Sequence, residues 1–124
     1  MVKILVIDDD PVDRALLKIL LREHGHDVVL ADDGWKGLEL FRQEHPDVVV
    51  LDLNMPEFDG GTVLKHIRGI DLTQPVIILT GAAAPEMEQQ VRALGVTEIV
   101  EKGCTWDRLT EALKRVLTIP LPAA

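Results

Sequence analysis

The sequence predicts an α/β fold in which a doubly wound, five-stranded parallel sheet is flanked by five helices. Apolar strand-like runs alternate with amphipathic stretches five times along the 124 residues, a pattern typical of parallel strands joined by crossover helices. The runs at residues 48–51 and 76–79 are uniformly apolar. Strands without polar alternation are expected to be covered on both faces, so helices should pack on both sides of the sheet.

Apolar runs and capping signals place the ten elements in order. Strands are predicted over residues 2–7, 28–31, 47–51, 76–79 and 96–100. The helices that follow them are predicted to begin at Asp10, at Asp33 or Gly34, near Thr62, at Pro85 and at Thr105. Their predicted ends lie near Gly25, Pro46, Arg68, Gly95 and Pro120.

The first helix has the clearest capping and packing signals. Asp10 suits a helix cap because its side chain accepts hydrogen bonds from free backbone N–H groups, and Pro11 is tolerated in the first turn. Leucines at positions 16, 17, 20 and 21 are expected to form its buried stripe. Trp35 and Trp106, at the starts of the second and fifth helices, are interpreted as packing residues.

Length and charge limit the function classes. Residues 1–118 are predicted to form one domain, and residues 119–124 a C-terminal tail or the start of a connection that has been removed. The net charge of −8 argues against direct binding to nucleic acid or anionic lipid, because both require basic patches. The single cysteine, Cys104, and the lack of a signal-like N-terminus or a long apolar run lead us to expect a cytoplasmic protein.

Polar residues follow several of the predicted strands. Asp8 and Asp9 come after the first, Asp52 after the third, Thr80 at the end of the fourth and Lys102 after the fifth. In an open parallel sheet the carboxyl ends of the strands share one edge, where ligands bind. Carboxylates gathered there repel one another unless a cation lies between them. We therefore expect a Mg²⁺ site that also admits a phosphoryl group.

Four segments of the chain resemble the receiver domains of two-component response regulators. They are VIDDD at 6–10, DLNMPEFDG at 52–60, IILTG at 77–81 and VEK at 100–102. Each segment alone is a weak signal, but four in this order at compatible spacings are specific, and the resemblance covers nearly the whole chain. It implies a flavodoxin-like fold with strand order 2-1-3-4-5.

The resemblance also implies roles for individual residues. Asp52 would be the phosphoacceptor, Lys102 would pair with a phosphate oxygen, and the Thr80 hydroxyl would bond another. The Mg²⁺ ligands would be Asp8, Asp9, Asp52 and the backbone carbonyl of Asn54. Asp10 is interpreted as a helix cap rather than a ligand. Gly60 is expected to allow a backbone turn that other residues resist.

Partners follow from the same resemblance. The phosphoryl donor would be a histidine kinase or a phosphotransfer protein, and the signal would pass to an output domain or a downstream protein. Homodimerisation stays undecided, because charged residues on the fourth and fifth helices and the fifth strand could pair between subunits or face water. The protein itself would catalyse only its own phosphorylation and dephosphorylation.

The chain departs from the family pattern at two positions. Gly103 stands where a proline usually follows the lysine, and Ile99 stands where an aromatic residue is usual. We expect the phosphorylation chemistry to persist while the surface of the fourth helix, fifth strand and fifth helix responds weakly or differently. In the family, the lifetime of the acyl phosphate varies with the residues at the places of Asn54 and Ala82. Alanine can neither orient nor activate a water molecule, which predicts slow self-hydrolysis.

Two alternatives stay open. A small aspartate-based phosphohydrolase of the haloacid dehalogenase type would use Asp8 and Asp10, but such enzymes usually need a longer chain and leave Asp52 without a role. A receiver-like scaffold that binds partners without being phosphorylated is suggested by Gly103 and Ile99. The retained acids, threonine and lysine disfavour it.

Overall fold

A computed structural model gives the structure of residues 2–55, 59–81, 85–96, 98–102 and 106–118. The strands are β1 (Lys3–Ile7), β2 (Asp27–Ala31), β3 (Val48–Asp52), β4 (Val76–Thr80) and β5 (Glu98–Glu101). The helices are α1 (Pro11–Glu23), α2 (Gly34–Glu44), α3 (Gly60–Ile70), α4 (Pro85–Ala93) and α5 (Asp107–Thr118).

The five strands form one parallel sheet in the order β2-β1-β3-β4-β5, which confirms the predicted topology. In the register of the central strands, Ile7 lies beside Leu51 and Asp52 beside Leu79. The chain passes from β1 outward to β2 and then returns to the other side of β1. That reversal leaves a crevice at the carboxyl ends of β1 and β3, where the acids were expected.

The core has two layers, one on each face of the sheet. One layer packs β1, β3 and β4 side chains against α2, α3 and α4, and includes Leu38, Phe41, Leu64 and Val91. The other packs the alternate side chains against α1 and α5, and includes Leu17, Leu21, Leu109 and Leu113. Every residue of β3 and β4 is buried, as the uniformly apolar runs predicted.

The predicted stripe of α1 is only half right. Leu17 and Leu21 are fully buried, but Leu16 is 46% exposed. Residues next to each other on a helix lie about 100° apart, and the buried face of α1 is centred on Leu17 and Leu21, which leaves Leu16 on the solvent side of that face. Leu16 instead belongs to an exposed apolar row with Val12 and Ile19. We call these three residues the α1 row.

The two tryptophans also differ. Trp106 packs partly against the α1/α5 layer of the core, whereas Trp35 is 67% exposed. Trp35 was predicted to be a packing residue, but a ring this exposed is not part of the core. Its place in the first turn of α2 turns its ring outward, while Leu38, one turn later, is buried.

Several helix ends carry the expected signals. Asp10 caps α1, and α3 begins at Gly60, earlier than predicted, because Asp59 accepts a hydrogen bond from the Thr62 N–H at 2.9 Å. Gly25 has a φ of +85°, which suits glycine after a helix end. The expectations for Ala82, Gly103, Cys104, Thr105 and the tail fall outside the described residues.

Candidate functional site

The β1–α1 turn presents Asp8 in a fixed position. The Asp8 side chain is fully buried, and its Oδ1 accepts a hydrogen bond from the Asp10 N–H at 2.9 Å. Arg14 holds the same turn by donating from Nη1 to the Asp8 carbonyl at 2.8 Å. The Asp10 carboxylate accepts from the Val12 N–H at 2.8 Å, so Asp10 is a helix cap, as predicted.

Asp52, the last residue of β3, is only 3% exposed. Its Oδ1 accepts a hydrogen bond from the Asn54 N–H at 3.1 Å. Burial, together with the nearby charge of Asp8, raises the pKa of Asp52 from 3.8 to about 6, against the opposing effects of the Asn54 N–H and Lys102. Without a bound metal ion, the surroundings of Asp52 therefore favour its protonated form more than water does.

Asp8, Asp9 and Asp52 form a compact acidic group. One carboxylate oxygen from each lies within 4.8 Å of the others. Asp8 and Asp52 are buried, whereas Asp9 reaches solvent. An all-oxygen set with one open side suits a hard divalent cation that keeps some of its waters, so the residues fit Mg²⁺.

Lys102 lies against this group from the end of β5. Its Nζ is 3.0 Å from Asp8 Oδ2 and 3.4 Å from Asp52 Oδ2. Burial opposes its charge, but the hydrogen bonds to Asp13 and Asp8 and the charge of Asp52 outweigh burial and raise the pKa of Lys102. The Lys102 N–H also donates to the Thr80 carbonyl at 2.7 Å, which fixes the lysine backbone beside β4.

Thr80 closes the group from the end of β4. Its side chain is 4% exposed, and its Oγ1 accepts a hydrogen bond from Asn54 Nδ2 at 3.4 Å. The Asn54 side chain thus links the loop after β3 to β4. The structure brings every predicted site residue to one edge of the sheet: Asp8, Asp9, Asp52, Asn54, Thr80 and Lys102.

Gly60 supports the site for a different reason from the one expected. The backbone φ angle of Gly60 is not positive, so the backbone conformation does not require glycine there. A Cβ on Gly60 would lie 2.5 Å from the Asp52 carbonyl oxygen and 2.8 Å from Leu53 Cα. The start of α3 is therefore packed against the backbone that carries Asp52 so closely that only glycine fits.

Asp13 is the site residue that the sequence interpretation missed. Its Oδ2 lies 2.8 Å from Lys102 Nζ, nearer than either Asp8 or Asp52. An acid in the first turn of a helix normally indicates a favourable interaction with the helix dipole, so the residue type alone gave no site signal. The available signal was its position, one turn into the helix that follows Asp8 and Asp9.

The pockets at the opposite edge of the sheet have a different character. One, of about 280 Å³, lies between α1 and α5 and is lined by His24, His26 and Leu113, among others. Burial lowers the pKa of His26 there. The interpretation of these histidines as non-ligand residues stays a prediction.

Comparison with protein families decides the identity. A family model described as the response regulator receiver domain matches residues 4–114. The chain belongs to this family. It is a receiver domain of the two-component response regulators, and the acidic group at its carboxyl edge fits the phosphoacceptor site of such domains. This membership favours the receiver interpretation over the hydrolase alternative.

Individual relatives agree. The chemotaxis protein CheY of Bacillus subtilis is 32% identical over 116 residues, which cover 93% of this chain and 97% of CheY. The sensor histidine kinase RcsC of Escherichia coli is 36% identical over 110 residues, which cover 89% of this chain but only 12% of RcsC. This receiver domain therefore resembles both a protein of its own length and a small part of a much larger one.

A solved structure matches the fold as well. The response regulator TrrA of Thermotoga maritima, in complex with Mg²⁺ and BeF, is 34% identical with a TM-score of 0.84, and the match covers 94% of this chain and 99% of TrrA. Among the described residues, no helix combines the length and apolar character needed to span a membrane.

Proposed function

We propose that Asp52 accepts a phosphoryl group from the phosphohistidine of a histidine kinase or phosphotransfer protein. The observation that carries this proposal is the placement of Asp52 on a fully buried strand, in one acidic group with Asp8 and Asp9 and 3.4 Å from Lys102. A rigid strand end holds the nucleophile in place, and the nearby cation offsets the charge of the incoming group.

The transfer step is a displacement at phosphorus. A carboxylate oxygen of Asp52 attacks the phosphorus atom, and the bond from phosphorus to the donor imidazole nitrogen breaks. The electron pair of that bond returns to the imidazole, and an acyl phosphate remains on Asp52. The nucleophile must be ionised, and added positive charge would favour that form by lowering the raised pKa of Asp52.

Asp8, Asp9, Asp52 and the Asn54 backbone carbonyl would hold Mg²⁺. When bound, Mg²⁺ supplies the charge that favours the Asp52 carboxylate and screens it from the phosphate oxygens. The Lys102 ammonium would hold a phosphate oxygen, and the Thr80 hydroxyl, now bonded to Asn54, would turn to another. The Asp8 turn keeps its geometry through the Asp10 N–H and Arg14.

The α1 row offers a docking surface for the donor protein. Val12, Leu16 and Ile19 are 63%, 46% and 58% exposed and run along α1 from the edge that carries Asp52. The donor histidine must touch Asp52, so the donor surface must cover the start of α1. An exposed apolar row that begins there suits a helix face of that donor.

Ile19→Asp should slow transfer from a protein donor and leave transfer from acetyl phosphate unchanged.

The rest of the function follows from this chemistry. The protein would act in the cytoplasm as a switch and would turn over no independent substrate. Its output would be a linked domain or a downstream protein.

Ile99 is partly buried against the core and pairs in register with Ile78. With an aliphatic residue there, the α4–β5–α5 surface should respond weakly or differently to phosphorylation, and the scaffold alternative rests on this residue together with Gly103.

Intact mass spectrometry after incubation with acetyl phosphate and Mg²⁺ tests the proposal. The protein should gain the mass of one phosphoryl group, and Asp52→Asn should gain none. Asp10→Asn is the matched control, because asparagine also caps a helix and Asp10 should not be modified. No adduct on the parent protein would favour the scaffold, an adduct retained by Asp52→Asn would exclude Asp52 as acceptor, and multiple turnovers of a generic phosphatase substrate would favour the hydrolase.

A further inference from the structure

Lys102 lies close to three carboxylates. Two of them, Asp8 and Asp52, belong to the proposed metal and acceptor site, and the third, Asp13, does not. Its Nζ lies 2.8 Å from Asp13, 3.0 Å from Asp8 and 3.4 Å from Asp52. A protonated lysine has three N–H donors, and the hydrogen bond of Lys102 Nζ goes to Asp13 Oδ2, whereas Asp8 and Asp52 lie at ion-pair distance. A phosphoryl oxygen would therefore meet an ammonium group whose hydrogen bond is already made to Asp13.

The role of Asp13 is not explained by the helix that carries it. The spacing of Asp10 and Asp13 matches a capping box, in which Asp13 would accept from the Asp10 N–H. That N–H donates to Asp8 Oδ1 at 2.9 Å instead. The Asp13 carboxylate accepts a hydrogen bond from Lys102, which lies 89 positions away in the chain.

We propose that Asp13 is a positioning residue that holds the Lys102 ammonium before phosphorylation and competes with the phosphoryl group for it. The proposal rests on the function proposed above. Asp8 and Asp52 are 0% and 3% exposed and face the metal site, whereas the Asp13 side chain is 21% exposed. Asp13 is thus the partner that water can solvate most readily when a phosphoryl oxygen takes its place.

Competition between Asp13 and a phosphoryl group for Lys102 predicts the direction in which the affinity for a phosphoryl mimic changes. If Lys102 must leave Asp13 to bind a phosphoryl oxygen, removing the Asp13 charge should tighten binding of a phosphoryl mimic. If Asp13 merely supports the active geometry of Lys102, the same change should weaken binding. Asp13→Asn keeps the shape of the side chain and removes its charge, so it separates the two cases.

The probe is Mg²⁺ with fluoroberyllate, the combination found in the TrrA structure. The affinity of the full chain for fluoroberyllate is measured at saturating Mg²⁺ by ¹⁹F NMR. Asp13→Asn should bind about five- to tenfold more tightly than the parent, because one charge-assisted hydrogen bond no longer has to be exchanged. The control is Glu101→Gln, which removes the same charge from an exposed residue next to Lys102 and should change the affinity less than about twofold.

A second titration with Mg²⁺ alone adds a readout that does not depend on fluoroberyllate. Both variants should bind Mg²⁺ with similar, slightly reduced affinity, because each has lost one negative charge. Equal fluoroberyllate affinity in Asp13→Asn and Glu101→Gln, or weaker binding in Asp13→Asn, would overturn the role of Asp13 alone. Failure of the parent protein to bind fluoroberyllate, or equal binding by Asp52→Asn, would overturn the proposed function and this inference with it.

Discussion

Two cationic side chains, the partly buried Lys102 and the buried Arg68, lie at opposite edges of the same sheet and are held in opposite ways. Lys102, at the carboxyl edge, is held by three side-chain carboxylates at 2.8 to 3.4 Å. Arg68, near the C-terminus of α3, is 8% exposed and donates to four backbone carbonyls, those of Asp71, Gln74, Leu94 and Gly95. Burial lowers the pKa of Arg68, whereas the surrounding acids raise that of Lys102.

The partners explain the difference. Backbone carbonyls are neutral and fixed by the turns after α3 and α4, so the planar guanidinium ties those turns together permanently. Carboxylates are charged, repel one another and can exchange one cation for another. Arg68 is therefore a structural residue, and Lys102 belongs to a group whose partners change when a metal or a phosphoryl group binds.

The largest expected effect is at Arg68, which lies at the amino edge of the sheet, opposite the edge that carries the acids. Arg68→Leu should lower the free energy of unfolding by about 3 kcal/mol, because it leaves buried carbonyls without donors. Arg68→Lys should lose less, since an ammonium can still reach some of them. Urea denaturation measures both, and Mg²⁺ should not restore Arg68→Leu. Recovery with Mg²⁺, or a loss below about 0.5 kcal/mol, would contradict the structural role.

Two of the three glycines of α3, Gly60 and Gly69, lie towards these two edges of the sheet. Gly60→Ala should destabilise the protein by about 2 kcal/mol and weaken phosphorylation, because the new Cβ meets the Asp52 backbone. Gly69→Ala is the matched control: a Cβ there meets nothing within 4 Å, and alanine should stabilise the helix by about 0.5–1 kcal/mol. Urea denaturation with acetyl phosphate labelling would show both. Equal effects would mean that α3 does not support the site.

The raised pKa of Asp52 gives a test at the carboxyl edge of the sheet. Its pKa of about 6 in the folded protein exceeds the ordinary value of 3.8, so the folded state binds this proton more tightly. That stability is present below about pH 4 and is lost as the pH rises through about 6. In EDTA at pH 8, Asp52→Asn should therefore be more stable than the parent by about 2 kcal/mol, and the gain should shrink towards pH 4.

The pH series has a simple control. Asp27→Asn changes an exposed acid at the start of β2 and should show no comparable gain at any pH. Urea midpoints for the parent and both variants between pH 4 and pH 8 give the comparison. A gain for Asp52→Asn that did not grow with pH would mean that its carboxylate is not strained in the metal-free protein.

The smallest predicted change alters the chemistry and leaves the fold intact. Ala82→Glu should speed release of phosphate from the acyl phosphate by about tenfold, because a carboxylate can orient the attacking water and alanine cannot. Phosphate release from the purified phosphoprotein measures the rate, and Ala82→Gln separates orientation from charge. Equal rates for Ala82→Glu and the parent would be the adverse result.

The sequence predicted the sheet, its connections and the gathering of the acids with Thr80 and Lys102. These features are topological: alternating apolar runs predict parallel strands, and parallel strands bring their carboxyl ends to one edge. Residue-level roles that depend on which way a helix is rotated were harder to predict. Leu16 and Leu17 are equally apolar, and only packing decided which of them is buried.

The missed residues share a physical reason. Asp13 and Arg68 both sit where a charge is favoured by the helix dipole, in the first turn of α1 and the last turn of α3. That ordinary role hides a long-range contact, because the partners lie 89 and up to 27 positions away. The contact of Gly60 with the Asp52 backbone is equally invisible in the sequence, where a glycine suggests a turn.

The central claim is that the carboxyl edge changes partners on phosphorylation while the amino edge does not. The direct measurement is ¹⁵N NMR of the Lys102 Nζ and Arg68 Nε groups before and after addition of Mg²⁺ and fluoroberyllate. The Lys102 signal should shift as a carboxylate is exchanged for the phosphoryl mimic, and the Arg68 signal should stay in place. Bound fluoroberyllate with an unchanged Lys102 signal, or an equal shift of both signals, would contradict it.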